Sequence, residues 1–259
     1  MGRKMIDRTG EENYNNEGTL MKIISYKDAN HIIVEFQDKY RAKVHAAYRE
    51  FKKGNVKNPY DKTVFNIGYL GEGKHKVKEN GEITKIYTCW RNILMRCYDP
   101  YKLNKYPTYR DCIVCEEWHN FQNFAQWYEE NYYEIEGEKM CLDKDILVKG
   151  NKIYSPTTCI FVTQRINNLI VKSDASRGKY PIGVRWHKEN NKFEAKCSIV
   201  DKEDNKTIYL GLYDTSKEAF SSYKIFKEKY IKQVANEYKD KIPKKLYDAL
   251  YKYEVEIND

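Results

Sequence analysis

The runs Ile182-Gly183-Val184-Arg185-Trp186-His187, Lys192-Phe193-Glu194-Ala195-Lys196-Cys197-Ser198-Ile199-Val200 and Thr207-Ile208-Tyr209-Leu210-Gly211-Leu212-Tyr213 read as three consecutive β-strands. Side chains alternate across a strand, so each run has two faces. Val184 and Trp186 point one way, Arg185 and His187 the other. In the second run Phe193, Ala195, Cys197 and Ile199 are expected to face a helix, leaving Glu194, Lys196 and Ser198 outward. In the third, Ile208, Leu210 and Leu212 are expected inward, Thr207 and Tyr209 outward. The helix is expected from about Ser216. Thr215 is a good N-cap, Glu218 three residues on completes a capping-box pattern, and Ala219, Tyr223, Phe226 and Tyr230 line one face. A final helix, Lys244–Tyr251, follows Pro243. Residues 178–259 are thus expected to form a three-stranded antiparallel sheet packed on a helix.

Upstream, a polar linker (Lys172–Lys179) leads back to a central segment, residues 83–172. Ile86, Trp90, Ile93, Leu94 and Cys97 recur there at helical spacing. A hairpin-like stretch at Cys112–Cys115 precedes a second amphipathic helix built on Trp118, Phe121, Phe124, Ala125 and Tyr128. Glu116, Glu117, Glu129 and Glu130 lie on its exposed face. A strand at Met140–Val148, a turn at Lys149–Lys152, a strand at Cys159–Val162 and a helix from about Gln164 complete a ββα order. Trp90, Trp118 and Trp127 read as core. Residues 17–82 read as a small β-rich module, with short runs such as Met21–Tyr26 and His31–Phe36, ending in a glycine-bearing linker or long hairpin turn at 71–82. Residues 1–16 are polar and expected to be loose. The fold class is α+β.

The 259 residues suit two or three small domains, and 32% charged with 41% apolar residues is a globular composition. No run of eighteen apolar residues and no charged-then-apolar signal segment at Met1 is present, so neither a membrane span nor export is expected. Seven cysteines in such a chain read as reduced thiols, which places the protein in the cytoplasm. The net charge is +8, with 16 basic against 12 acidic residues in 1–84, 11 against 11 in 85–171 and 19 against 15 in 172–259. Two basic ends suit a polyanionic partner. The acidic face of the second helix should point away from it.

The C-terminal residues Ile182-Gly183-Val184-Arg185-Trp186, Phe193-Glu194-Ala195-Lys196, and Tyr209-Leu210-Gly211-Leu212-Tyr213-Asp214-Thr215 with Glu218-Ala219 and Tyr223 resemble the APETALA, or ethylene-response-factor, DNA-binding domain. The likeness covers roughly residues 180–235. That family reads the DNA major groove with its sheet. By position, the resemblance implies DNA contacts at Arg185, His187, Lys196, Ser198 and Tyr209. The family usually carries Arg, Glu, Arg and Trp where this chain has His187, Lys196, Ser198 and Tyr209, so the target sequence does not transfer.

The central residues Leu142-Asp143-Lys144-Asp145, Gly150-Asn151, Tyr154-Ser155-Pro156, Cys159, Val162-Thr163 and Asn167 resemble the HNH homing-endonuclease module, found in phage genomes beside APETALA-type domains. That module clasps one divalent cation in a hairpin and helix, and a strand His deprotonates water. The resemblance implies catalytic roles for Asp143, Lys144, Asp145, Asn151 and Asn167, with Mg²⁺ or Mn²⁺ held by Asp143, Asp145 and Asn167. Asp143 and Asp145 are expected on one face of one strand. The departure is at the base: no His lies between His119 and His187, and Lys144 stands in the usual position.

Cys112-x-x-Cys115 is one metal-type pair, whereas a tetrahedral zinc site needs two; Cys89, Cys97, Cys141 and Cys159 are scattered singly. Structural zinc is not expected. His119 reads as a capping or surface residue and His75 as a phosphate contact in the lysine-rich linker. The favoured function is a phage-type HNH-like endonuclease that binds double-stranded DNA and cuts or nicks it with a divalent metal, in the cytoplasm of an infected bacterial cell. Two alternatives stay open: a DNA-binding regulator that has lost catalysis, and a phage protein that inhibits a host factor by direct binding.

Overall fold

A computed structural model describes residues 6–170, 178–200 and 205–257, and shows an α+β chain of helices and several small sheets. The chain divides into two compact units, Met1–Glu130 with Lys152–Ser155, and Asn131–Asn151 with Pro156–Asp259.

The first unit opens on a four-stranded antiparallel meander: β1 (Glu12–Tyr14), β2 (Leu20–Asp28), β3 (His31–Phe36) and β4 (Lys43–Ala46). The expectation of a loose N-terminus through residue 16 is corrected here, because β1 pairs with Leu20–Lys22. Asn15 makes that turn. Its Oδ1 accepts the amides of Glu17 and Thr19, and its Nδ2 donates to Asp61 at 2.6 Å. Met21, Ile23, Ile32, Val34 and Phe36 close a core with Phe51 of α1 (Tyr48–Lys52). Within the glycine-bearing stretch, β5 (Lys78–Glu79) and β6 (Glu82–Ile83) form a hairpin whose Asn80 and Gly81 both have positive φ. Asn-Gly is the pair that such a two-residue turn favours.

Helix α2 (Lys85–Tyr98) starts at Thr84, whose side chain accepts from the Tyr87 amide, and buries Trp90, Ile93, Leu94 and Cys97 as its spacing predicts. After α3 (Pro100–Lys105) and a 3-10 turn at Glu116–His119 comes α4 (Phe121–Asn131). The acidic residues Glu116, Glu117, Glu129 and Glu130 are exposed, as expected. Trp90 Nε1 donates to the Trp118 carbonyl at 2.7 Å, tying α2 to that turn. The Cys112–Cys115 stretch is not a hairpin. Its β7 (Ile113–Val114) runs parallel to β9 (Ile153–Tyr154), and the amides of Ile113 and Cys115 bond the carbonyls of Lys152 and Tyr154. Such a pairing is distant in sequence and leaves no local turn signal.

In the second unit β8 (Met140–Asp143) pairs antiparallel with β10 (Ile160–Thr163), and α5 (Gln164–Ile170) follows, giving the expected ββα order. The first strand is shorter than expected. Asp143 Oδ1 accepts the amides of Asp145 at 2.9 Å and Ile146 at 2.7 Å, and this local turn takes the chain out of the ladder before Val148. The sheet β11 (Val184–His187), β12 (Lys192–Val200), β13 (Asn205–Tyr213) then packs on α6 (Ser216–Glu237), and α7 (Lys244–Tyr251) follows Pro243. Thr215 and Glu218 make the full reciprocal capping box. Gly183 has φ +75°, and a Cβ there would meet the Tyr223 ring of α6, so only glycine permits this close approach.

Ile146, Ile160, Val162, Ile166 and Leu169 of the ββα element share one buried cluster with Cys197, Phe220, Tyr223, Ile231, Val234 and Leu246. The hairpin is therefore not a core of its own; its apolar face is covered by the C-terminal sheet and helices. Of the expected linker Lys172–Lys179, residues up to 177 lie outside the described residues. Among the described residues no helix is long and apolar enough to cross a membrane.

Candidate nucleic-acid interface

Hairpin register builds the outer face of the C-terminal sheet. Arg185 lies opposite Glu194 and His187 opposite Lys192; Lys196 lies opposite Tyr209 and Ser198 opposite Thr207. The five residues Arg185, His187, Lys196, Ser198 and Tyr209 thus stand on one sheet face. The Arg185 side chain is 62% exposed and Tyr209 56%; Ser198 is exposed, and His187 and Lys196 are half-buried. Ser198 Oγ lies 3.4 Å from Thr207 Oγ1. His187 Nδ1 is buried and has no hydrogen-bond partner among the described residues.

Glu194 organises this face, and alternation alone missed it. It points outward, yet it is only 4% exposed, because the chains of Arg185 and Lys196 close over it. Arg185 Nε donates to one carboxylate oxygen, and Lys196 Nζ lies 2.9 Å from the other. Burial pushes the Glu194 carboxyl up, but the two cationic donors outweigh it and hold it below the usual glutamate range. The readable signal was the hairpin itself: a short turn after His187 sets Arg185 opposite Glu194, with Lys196 two residues beyond.

Trp186 shares the Val184 side of β11, as read; it lies opposite Phe193, edge-on at 4.9 Å, and is 38% exposed. One expectation about this sheet is corrected. Leu212 lies opposite Glu194, on the Arg185 face, instead of inward. A bulge causes this. Between Ala195 and Lys196 the register jumps from Gly211 to Tyr209, leaving Leu210 unpaired and reversing the alternation beyond it.

The central residues form a closed loop after β8. Lys144, 9% exposed, sends its ammonium to Asp145 Oδ2 at 3.1 Å and to the Asn151 carbonyl at 2.8 Å. Asn151 Nδ2 returns to the Lys144 carbonyl at 2.6 Å. Asp145 therefore lies past the strand's end, and the expected shared strand face of Asp143 and Asp145 is not formed. Burial and then the Asp145 charge push the Asp143 carboxyl up to about 6, against the amides of Ile146 and Asp145 that favour its ionised form. Asn167 is half-buried on α5, beside Asn168, whose Oδ1 accepts from Gln164 Nε2 at 2.8 Å.

Lys144 takes two of the oxygens that a divalent cation would need here. A hard cation takes carboxylate and carbonyl oxygens, and the Lys144 ammonium already sits between the Asp145 carboxylate and the Asn151 carbonyl. Asp143 Oδ1 is committed to two amides. Among the described residues no disulfide joins the seven cysteines. Among the described residues, no three His, Cys, Asp or Glu side chains gather as a metal-holding group. His119 is half-buried, and its ring nitrogen Nε2 lies 3.0 Å from the Val114 carbonyl oxygen. His75 faces Glu129, with Nδ1 3.4 Å from its carboxylate.

Compared with family models, curated proteins and solved structures, the chain finds no match.

Proposed function

We propose that this protein binds double-stranded DNA through the outer face of β11–β13, and that its central ββα element serves as scaffold. The observation that carries this reading is the convergence of Arg185 and Lys196 on Glu194, beside exposed Tyr209. A three-stranded sheet face can enter a major groove, where an Arg fork pairs with guanine and an aromatic ring meets backbone or thymine methyl groups. On this reading the protein works in the cytoplasm of the cell whose DNA it meets. The test is duplex binding by the full chain and by Arg185→Ala. Loss of sequence preference in the variant supports direct readout, and an equal loss on all sequences demotes Arg185 to a phosphate contact.

One observation favours a hydrolytic reading instead. A carboxyl that titrates at about 6, as Asp143 does, can exchange protons near neutrality. Supercoiled plasmid incubated with Mg²⁺ or Mn²⁺ against EDTA decides between the two. Nicking that survives in wild type but not in Asp143→Ala or Asp145→Ala would replace the scaffold reading. Metal-dependent nicking that arises only in Lys144→His would mean a pocket that lost its base.

A further inference from the structure

We infer that Glu194 is a positioning residue for sequence readout: it fixes Arg185 and Lys196 as one rigid donor array, trading phosphate attraction for discrimination between base pairs. This rests on the DNA-binding reading above and deepens it. The argument begins with charge. If Arg185 and Lys196 served only to attract phosphates, a carboxylate between them would work against the function, because it cancels one of their two positive charges. A buried carboxylate with both oxygens engaged therefore points to a different task.

Geometry supplies that task. Arg185 meets Glu194 through Nε, the inner edge of the guanidinium, so the Nη groups at the outer end stay clear of this contact. Those terminal groups form the fork that matches a guanine edge bidentately. Lys196 spends one of its three donors on Glu194 and stands opposite Tyr209 across the strand pair. Its backbone is fixed as well, since the Lys196 amide donates to the Gly183 carbonyl at 2.8 Å. Long cationic side chains otherwise lose rotamer freedom on binding, and prior bracing removes much of that loss.

The experiment compares wild type with Glu194→Gln as full chains. Duplexes come from selection on a randomised pool, and each protein is measured on the selected duplex and on a scrambled one. Nitrogen-edited spectra of the free proteins report the Arg185 Nε–H signal. Glutamine keeps the size and one acceptor but cannot hold two cations by charge. The expected result has three parts. Affinity for the scrambled duplex holds or rises, discrimination falls about tenfold or more, within the span of one bidentate base contact, and the sharp Arg185 Nε–H signal is lost. A Glu194→Gln change in an Arg185→Lys background should cost no further discrimination, since the fork is already gone; this arm needs no large change in fold. Unchanged discrimination with wild-type binding intact overturns the role of Glu194 alone. An unchanged Arg185 Nε–H signal does the same. Absence of duplex binding by the wild type overturns the DNA reading itself, and the inference with it.

Discussion

Lys144 and Asn151 hold each other reciprocally: the ammonium of Lys144 bonds the Asn151 carbonyl at 2.8 Å, and the Asn151 amide bonds the Lys144 carbonyl at 2.6 Å. A cation of the chain's own thus closes the loop in which a metal is otherwise expected.

Removing that cation should have two effects. Lys144→Ala leaves the Asn151 carbonyl and Asp145 carboxylate without their charged donor, and should cost about 1–3 kcal/mol in urea unfolding. It also frees those oxygens for a divalent ion. Millimolar Mn²⁺ should raise the melting temperature of Lys144→Ala and leave wild type unmoved. A rise in wild type would show that the loop accepts metal with Lys144 in place.

Asp143 predicts a pH dependence. Its carboxyl ionises near 6 in the folded protein against an ordinary value of 3.8, so between those values the folded state holds more protons. Its stabilising effect is full below about pH 4 and is lost as pH climbs through about 6, a swing on the order of 2–3 kcal/mol. Asp143→Asn keeps an oxygen for the two amides and removes the charge. Its stability relative to wild type should therefore increase from pH 4 to pH 7. A constant difference across that range would contradict the account.

The shared core predicts that the ββα element and the C-terminal sheet melt together. Ile166 of α5 is fully buried in the cluster that also holds Phe220, Ile231 and Leu246. Ile166→Ala should cost about 2–5 kcal/mol, lowering one common transition for the second unit. A fragment starting at residue 178 should be markedly less stable than one starting at residue 131. Equal stability of the two fragments would make the C-terminal sheet independent after all.

What the sequence made legible was local. The Thr215–Glu218 box, Pro243 before α7 and the spacing of Trp90, Ile93, Leu94 and Cys97 each act over a few residues, and each forms as read. What it hid depends on partners distant along the chain. Alternation places Glu194 outward correctly but cannot show that two cations cover it. A single bulge at Leu210 turns Leu212 to the opposite face. Lys144 reads in sequence only as the residue at the usual base position, and the returning turn at Asn151 gives it its carbonyl acceptor. The parallel pairing of Ile113–Val114 with Ile153–Tyr154 has no local signature.

The central claim, that the β11–β13 face binds duplex DNA, is tested most directly by titrating full-chain binding against salt with a fluorescent duplex. Neutralising about four to six phosphates predicts a log–log slope of about −4 to −5, shallower by about one when a phosphate-contacting lysine is replaced. Binding that ignores salt, or no binding at low salt, would contradict the account.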